Sequence, residues 1–201
     1  MSHIPAGTIV NRRELLTIHS RRIRVPDREH IVHLQFRRFA GCPVCNLHLH
    51  SIVQRHGEIR AASIREVIVF HTNAEELLEH AGYLPFDVIA DPEKYLYADF
   101  GVEFGPRALL DPRAWIPILR GVIRSVRALF RGQPVPSVNP HGGRFGLPAD
   151  FLIAPDGRVL ACKYGSHAYD QWSVDDILTL SGMTDTDSQT QSRRKTITSS
   201  I

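Results

Sequence analysis

The sequence has few cysteines, little excess of either charge and no long apolar run. Three cysteines among 201 residues are too few for the disulfide framework of a secreted protein. The 24 Lys and Arg exceed the 21 Asp and Glu by only three, which argues against a dedicated nucleic-acid-binding protein. No apolar segment approaches the roughly 20 residues that span a bilayer, and the N-terminus lacks the pattern of a signal peptide. We therefore expect a cytoplasmic protein that binds neither nucleic acid nor a membrane.

The apolar content fits one domain with a sizeable core, since 43% of the residues are hydrophobic. We expect an N-terminal extension over residues 1–29, with two short strands bent near His19-Ser20. The domain itself is expected over residues 30–182. Beyond Gly182 the chain is mostly Ser, Thr, Gln and Asp, so residues 183–201 are expected to form a disordered tail.

Strand and helix patterns alternate through the first half of the domain, which predicts βαβ units and a parallel sheet. A turn motif then separates two further strands, which predicts an antiparallel return. The predicted strands cover residues 30–39, 66–72, 88–91, 148–154 and 159–164, and the predicted helices cover residues 42–57, 73–84, 94–100 and 173–180. The fold class is α/β, with a central mixed sheet flanked by helices.

A helical insertion interrupts this pattern at about residues 104–146. Its helix, over residues 112–131, has an apolar stripe and a separate stripe of five arginines. We interpret it as a helix packed on the domain with its arginines in solvent. A lid over the active site, a homodimer contact and a contact with an acidic partner or an anionic membrane surface stay open as alternatives.

The motif that carries chemistry is Cys42-Pro43-Val44-Cys45. It lies where a buried strand is followed by a helix, so Cys42 is expected at the helix N-terminus. Free backbone amides and the positive end of the helix dipole lower the pKa of a thiol placed there. Cys45, one turn further on, is close enough to pair with Cys42 and is expected to be more buried. The pair therefore predicts thiol–disulfide chemistry at Cys42 and Cys45.

The residues near the cysteine motif include two histidines and two arginines. His48 shares a helix face with Cys45, but His50 points away and no second ligand pair exists, so we expect no metal site. Arg37 and Arg38 must point to opposite faces of their strand, so at most one can approach the thiols. We interpret both as solvated side chains. Cys162, in a predicted strand, is interpreted as a buried apolar residue.

Three segments together resemble the peroxiredoxin-like branch of the alkyl hydroperoxide reductase/thiol-specific antioxidant family. They are residues 36–45 (FRRFAGCPVC), 146–153 (GLPADFLI) and 155–159 (PDGRV). The resemblance covers about residues 30–180 and implies a thioredoxin-like fold in which Pro148 follows a cis peptide bond and, with Leu147, lines a substrate groove beside the cysteines. It also implies a thiol–disulfide oxidoreductase that needs no cofactor, acts on a disulfide or peroxide, and is reset by an external thiol reductant.

The sequence departs from the family patterns at three positions. Phe36 stands where thioredoxins carry a buried Asp, six residues before the first cysteine. If Cys45 is aligned with the peroxidatic cysteine, Arg38 and Cys42 replace the Pro and the Thr or Ser of the peroxiredoxin motif. That alignment favours Cys45 as the attacking thiol, whereas the helix dipole favours Cys42, which we choose. A thioredoxin-fold interaction module with inert cysteines is the competing hypothesis.

Overall fold

The fold is built on a five-stranded mixed β-sheet. The computed structural model describes residues 2–38, 43–102, 146–167 and 169–182, and of residues 43–46 it describes the backbone alone. The elements are β1 (Arg13–Leu16), β2 (Arg22–Val25), β3 (Ile31–Arg37), α1 (Pro43–Gln54), α2 (His56–Ala61), β4 (Ile64–Phe70), α3 (Ala74–Ala81), β5 (Asp87–Ala90), α4 (Tyr95–Asp99), β6 (Ala149–Ile153), β7 (Val159–Tyr164) and α5 (174–182).

The first half of the sheet is parallel, as the alternation of strands and helices predicts. β3 pairs with β4, and β4 with β5, all in parallel. α1 and α2 connect β3 to β4, and α3 connects β4 to β5. Asn73 caps helix α3, because its side chain accepts a hydrogen bond from the Glu76 amide at 2.9 Å. This parallel arrangement brings the carboxyl ends of β3, β4 and β5 to one edge of the sheet.

The second half is antiparallel and confirms the predicted return of the chain. β6 pairs antiparallel with β3, and β7 with β6, so the strand order is β5-β4-β3-β6-β7. Gly157 closes the β6–β7 turn with a φ of 90°, a conformation that glycine adopts without a side-chain clash. Helix α5 starts with a capping box, in which Ser173 and Asp176 exchange amide and side-chain hydrogen bonds of 2.9 and 3.2 Å.

The two faces of β3 differ in character, because successive side chains point to opposite faces of a strand. The even-numbered residues are apolar and pack in a core with α4 and the β1–β2 hairpin. Val32, Leu34 and Phe36 form this face. The odd-numbered residues His33, Gln35 and Arg37 are polar and almost fully buried. They lie on the face where α1, α2, α3 and α5 form the second core.

The N-terminal strands β1 and β2 form the hairpin that the sequence predicts. They pair antiparallel in a separate two-stranded sheet, and Ser20 at the bend has a φ of 59°. Ile23 and Val25 bury the inner side of the hairpin in the core on the α4 face, and a bridge joins Thr17 to Ile89 of β5. The extension is therefore packed on the domain.

One expectation about the helices is corrected, and two others concern residues that the structure does not describe. The first helix does not end the helical connection at Gly57, because the chain turns at Arg55 and continues as α2, with Gly57 inside it. The insertion helix over 112–131 and the tail over 183–201 lie outside the described residues, and the predicted domain boundaries stay predictions. No helix within the described ranges is long and apolar enough to cross a membrane.

Candidate active site

Helix α1 begins at the edge of the sheet where β3, β4 and β5 end. β3 ends at Arg37 and α1 begins at Pro43, so the cysteine motif lies at this junction in the sequence. Cys42 is outside the described residues, and Cys45 is in the first turn of α1 by its backbone. In open sheets with parallel strands, ligands bind beyond the carboxyl ends of the strands. This edge is therefore the candidate active site.

The same edge carries positive charge. The carbonyl of Arg38, four residues before Cys42, accepts a hydrogen bond from the His71 amide at 3.3 Å. Burial, together with the nearby positive charges of Lys94 and Arg38, lowers the pKa of His71 to about 4. Burial is the largest of these causes. His71 is thus neutral, while Arg38 and Lys94 supply the charge. Positive charge close to a thiol favours its thiolate form.

The interpretation of Arg38 as a solvated side chain is wrong, because only 5% of the residue is exposed. Helix α4 packs beside it through Tyr97, whose hydroxyl contacts the carbonyl oxygens of Arg37 and of Val69, the latter at 3.0 Å. The Asp91 carboxylate accepts the amide of Leu96 at 2.8 Å at the start of α4. These contacts fix the ends of β3 and β4 to each other.

A second group of polar residues lies beneath α1 and is wholly buried. Arg37 Nη2 is 2.5 Å from Asp150 Oδ1 of β6. His33 lies between two carboxylates, with Nδ1 2.9 Å from Glu66 Oε2 and Nε2 3.2 Å from Asp150 Oδ1. None of these four side chains is exposed. We call Arg37, His33, Asp150 and Glu66 the buried network.

Gln35 and His48 extend the buried network at its two sides. The Gln35 amide donates to Glu66, and its oxygen accepts from Arg37 Nη2 at 2.7 Å. His48, on α1, has its Nε2 3.3 Å from Arg37 Nη2. The network therefore connects three strands of the sheet to the helix that carries Cys45.

The charges of the buried network balance. Burial by itself lowers the pKa of His33, but the Glu66 and Asp150 carboxylates outweigh it and raise that pKa to about 9. Burial by itself raises the pKa of Asp150, but Arg37 and His33 outweigh it and hold that pKa well below its usual range. Two cations thus face two anions at neutral pH, which is how charged groups are tolerated in an apolar interior.

One expectation about this region is corrected. Arg37 is not solvated but 1% exposed, because it is the counter-ion of Asp150. Phe36 faces the other core, as strand alternation requires, so the absence of an Asp at that position does not leave α1 without a buried carboxylate. Asp150 of β6 provides it. The sequence signal for this network was the presence of polar residues at every second position of a buried strand, at His33, Gln35 and Arg37.

The Leu147–Pro148 segment lies at the start of β6. The cis peptide bond among the described residues is Val25–Pro26, and Leu147–Pro148 is trans, contrary to the expectation from the resemblance. A trans bond is the preferred state of most X-Pro peptides. The carbonyl of the buried Pro148 accepts the Gly165 amide at 2.8 Å, which ties the segment to the end of β7. Its role as a substrate groove stays a prediction.

The remaining candidate residues lie apart from one another. His50 is exposed on α1 while His48 is buried. Within the part of the chain that the structure describes, no group of three or more His, Cys, Asp or Glu is arranged to hold a metal ion. Cys162 is a half-buried free thiol on β7, and burial raises its pKa.

A cleft of about 970 Å³ lies at the opposite edge of the sheet. Arg60 of α2, Arg65 of β4 and Asp87 of β5 are among its lining residues. Arg65 is paired there with Asp87 at 2.9 Å and with Asp27 at 2.6 Å. These ion pairs neutralise much of the charge in the cleft, which is remote from the cysteine motif.

A family model described as AhpC/TSA antioxidant enzyme matches residues 51–167, more than half of the chain. The chain belongs to the AhpC/TSA antioxidant enzyme family. The matched segment of this AhpC/TSA protein begins after Cys45, so it covers the sheet from β4 to β7 and not the cysteine pair.

Solved structures support the fold of this AhpC/TSA protein. The peroxidoxin BcpB from Mycobacterium tuberculosis is 17% identical, with a TM-score of 0.63 over 90% of this chain and 98% of the other. A peroxiredoxin 6 mutant from Arenicola marina is 15% identical, with a TM-score of 0.63 over 92% and 76%. A thiol:disulfide interchange protein DsbE from Chlorobium tepidum, described as putative, is 16% identical, with a TM-score of 0.55 over 90% and 99%.

No curated protein sequence matches the chain. The three solved structures are each less than 25% identical to this chain, so the similarity establishes the thioredoxin-like fold alone. The match to the family model is what shows that the protein is peroxiredoxin-like.

Proposed function

We propose that this protein is a thiol-dependent oxidoreductase that uses Cys42 and Cys45 to reduce a disulfide or a peroxide. The observation that carries the proposal is the position of α1, which begins at Pro43, directly after Cys42, at the edge where the buried Arg38 and the half-buried Lys94 supply positive charge. Membership of the AhpC/TSA family supports the same chemistry.

With a disulfide substrate, the Cys42 thiolate attacks one sulfur and the substrate S–S bond breaks. A mixed disulfide forms and the other substrate sulfur leaves as a thiolate. Cys45 then attacks the Cys42 sulfur, forms the Cys42–Cys45 disulfide and releases the second substrate thiolate. An external dithiol reductant returns the pair to its reduced state.

With a peroxide substrate, the thiolate attacks a peroxide oxygen and the O–O bond breaks. This gives a sulfenic acid and releases water or an alcohol. The second thiol attacks the sulfenic sulfur, forms the disulfide and releases water. Both routes consume one thiol pair per substrate molecule, so both need the same reductant, and neither requires a cofactor. We further propose that the protein acts in the cytoplasm, where such reductants are kept reduced.

The test is mass spectrometry of the alkylated protein before and after one equivalent of hydrogen peroxide, repeated with a small disulfide. We expect two alkylated thiols to be lost, with the loss mapping to Cys42 and Cys45. Cys162→Ser is the matched control, since Cys162 is far along the sequence and should not change the result. If both thiols are still alkylated after treatment with hydrogen peroxide and also after treatment with the disulfide, the inert interaction module is favoured. Size-exclusion chromatography of both redox states tests whether the protein is a homodimer.

A further inference from the structure

The cleft at the edge of the sheet remote from the cysteine motif is rich in arginine. It lies where β4 and β5 begin, and residues of the β1–β2 hairpin and of α2 are part of its lining. Its volume of about 970 Å³ is in the range of sites that bind small organic molecules. Six arginines from distant parts of the chain line it, namely Arg21, Arg22, Arg24, Arg28, Arg60 and Arg65. A concave surface with positive charge of this kind attracts anions.

Two carboxylates of the cleft are already paired with its arginines. Asp87, at the start of β5, is paired with Arg65 at 2.9 Å and also with Arg21. Asp27 is paired with the same Arg65 at 2.6 Å. These pairs hold two of the arginines in place and occupy both carboxylates, so Asp27 and Asp87 do not neutralise the other arginines.

The remaining carboxylates do not balance the charge of the cleft. Glu14 is paired with Arg24 at 3.0 Å, and Glu29 is exposed. Glu66 also lines the cleft, but its side chain is fully buried beside His33, which is its counter-ion. Six arginines thus face four other carboxylates, which is an excess of two positive charges.

Arg28 and Arg60 differ from the other four arginines of the cleft. Each of those four has an ion-pair partner, whereas Arg28 and Arg60 are exposed and have none among the residues that the structure describes. Arg28 lies between β2 and β3, and Arg60 in the last turn of α2. A guanidinium has donors alone, in a planar fork that matches the oxygens of phosphate and carboxylate groups. Two such groups in one cleft fit a ligand with a double negative charge.

The cleft also has rings that an organic group can contact. His56 and Phe86 both line it, and their rings are in edge-to-face contact with centroids 5.6 Å apart. Pro85, which precedes Phe86, lines the cleft and is exposed. A free phosphate ion would fill only a small part of a cleft of this volume, so a ligand with an organic part fits better.

We propose that this cleft binds a small organic phosphate monoester, with its phosphate on Arg28 and Arg60 and its organic part against His56 and Phe86. A phosphate monoester carries a charge of about −1.5 to −2 at pH 7, which matches the excess of positive charge in the cleft. The inference goes beyond the proposed function and does not depend on it, because the residues that line the cleft are not those of the cysteine motif.

The first measurement is isothermal titration calorimetry of the full chain at low salt. The probes are adenosine 5′-monophosphate and phenyl phosphate, with adenosine and phenol as matched controls that lack the phosphate. We expect both phosphates to bind at least about tenfold more tightly than their controls, because the arginines contact the phosphate. Absence of binding by both phosphates at millimolar concentration would overturn the proposal. Succinate, a dianion without phosphate, should bind more weakly, and equal binding of succinate would overturn the assignment to phosphate.

The second measurement repeats the titration with variants. Arg28→Gln and Arg60→Gln should each weaken binding of the phosphates by about tenfold. Arg12→Gln is the matched control, because it removes the same charge from an exposed position outside the cleft, and it should bind like the parent. Both cleft variants should keep the urea unfolding curve of the parent, since neither arginine has an ion pair to lose within the described residues. Parent-like affinity in both cleft variants, or equal weakening by Arg12→Gln, would overturn the proposal.

Discussion

His33 and Glu66 stand opposite each other in the parallel β3–β4 ladder, with His33 Nδ1 2.9 Å from Glu66 Oε2 and neither side chain exposed. A charged pair in this position needs further partners, because burial penalises each charge. Asp150 and Gln35 complete the hydrogen bonding on either side. The pair is therefore the centre of a charge network inside the core, and it couples folding to pH.

The first prediction concerns stability at alkaline pH. The pKa of His33 is raised from 6.5 to about 9 in the folded protein, so its stabilising contribution is complete below pH 6.5 and is lost as pH rises through about 9. The loss is expected to reach about 3 kcal/mol. Urea unfolding between neutral and alkaline pH measures it.

The control for His33 is a histidine substitution on the surface. His33→Gln should be less stable than the parent at neutral pH and should lose less stability as pH rises. His50→Gln, on the exposed side of α1, should keep the slope of the parent. A parent protein whose unfolding free energy is flat across this range would contradict a charged His33.

The second prediction is that Asp150→Asn destabilises the protein by about 3–5 kcal/mol, since it leaves Arg37 in the core without its charged partner and His33 with Glu66 alone. The pKa of Asp150 is held well below its ordinary value of 3.8, so the deficit should persist at neutral pH and narrow as pH falls below that value. Asp156→Asn, in the exposed β6–β7 turn, should change stability by less than about 0.5 kcal/mol. Equal effects of the two substitutions on urea unfolding would contradict the network.

The third prediction tests the packing of the Pro148 segment. A Cβ at Gly165 would lie 2.5 Å from the Asp170 carbonyl oxygen and 2.7 Å from Pro148 Cγ, so Gly165→Ala should destabilise the protein by about 1–3 kcal/mol. Gly57→Ala is the matched control, because nothing lies within 4 Å of the added carbon. Inside α2 it should stabilise the protein by about 0.5–1 kcal/mol. Thermal unfolding of both variants gives the comparison.

The fourth prediction concerns the order of the two thiols. Because the helix dipole acts most strongly at the N-terminus, we expect Cys42 to attack first. Cys45→Ser should then still form a mixed disulfide with a small oxidised thiol, and Cys42→Ser should react much more slowly. Stopped-flow trapping with mass spectrometry measures both rates. The reverse pattern would assign the attack to Cys45, in agreement with the peroxiredoxin alignment.

Local patterns in the sequence predicted most of the elements. Helices and strands depend on neighbours along the chain, as the Asn73 cap and the Ser173–Asp176 capping box of the structure illustrate. The expectation of a helix ending at Gly57 was wrong, because the chain turned two residues earlier. A single glycine lowers helix propensity by only about 1 kcal/mol, which packing of Ile59 in the core can outweigh.

Local sequence patterns were enough to predict the order of strands and helices and the position of the cysteine motif at the start of a helix. The burial of Arg37 and Arg38 emerges from the folded arrangement, as does the pairing of Arg37 with Asp150, 113 residues away. The contact between Arg37 Nη2 and His48 Nε2 emerges in the same way. Periodicity gives the face on which a side chain lies, because it follows from local backbone geometry. The charged partner across that face comes from a distant strand, so it depends on sheet order and register, which no local pattern contains.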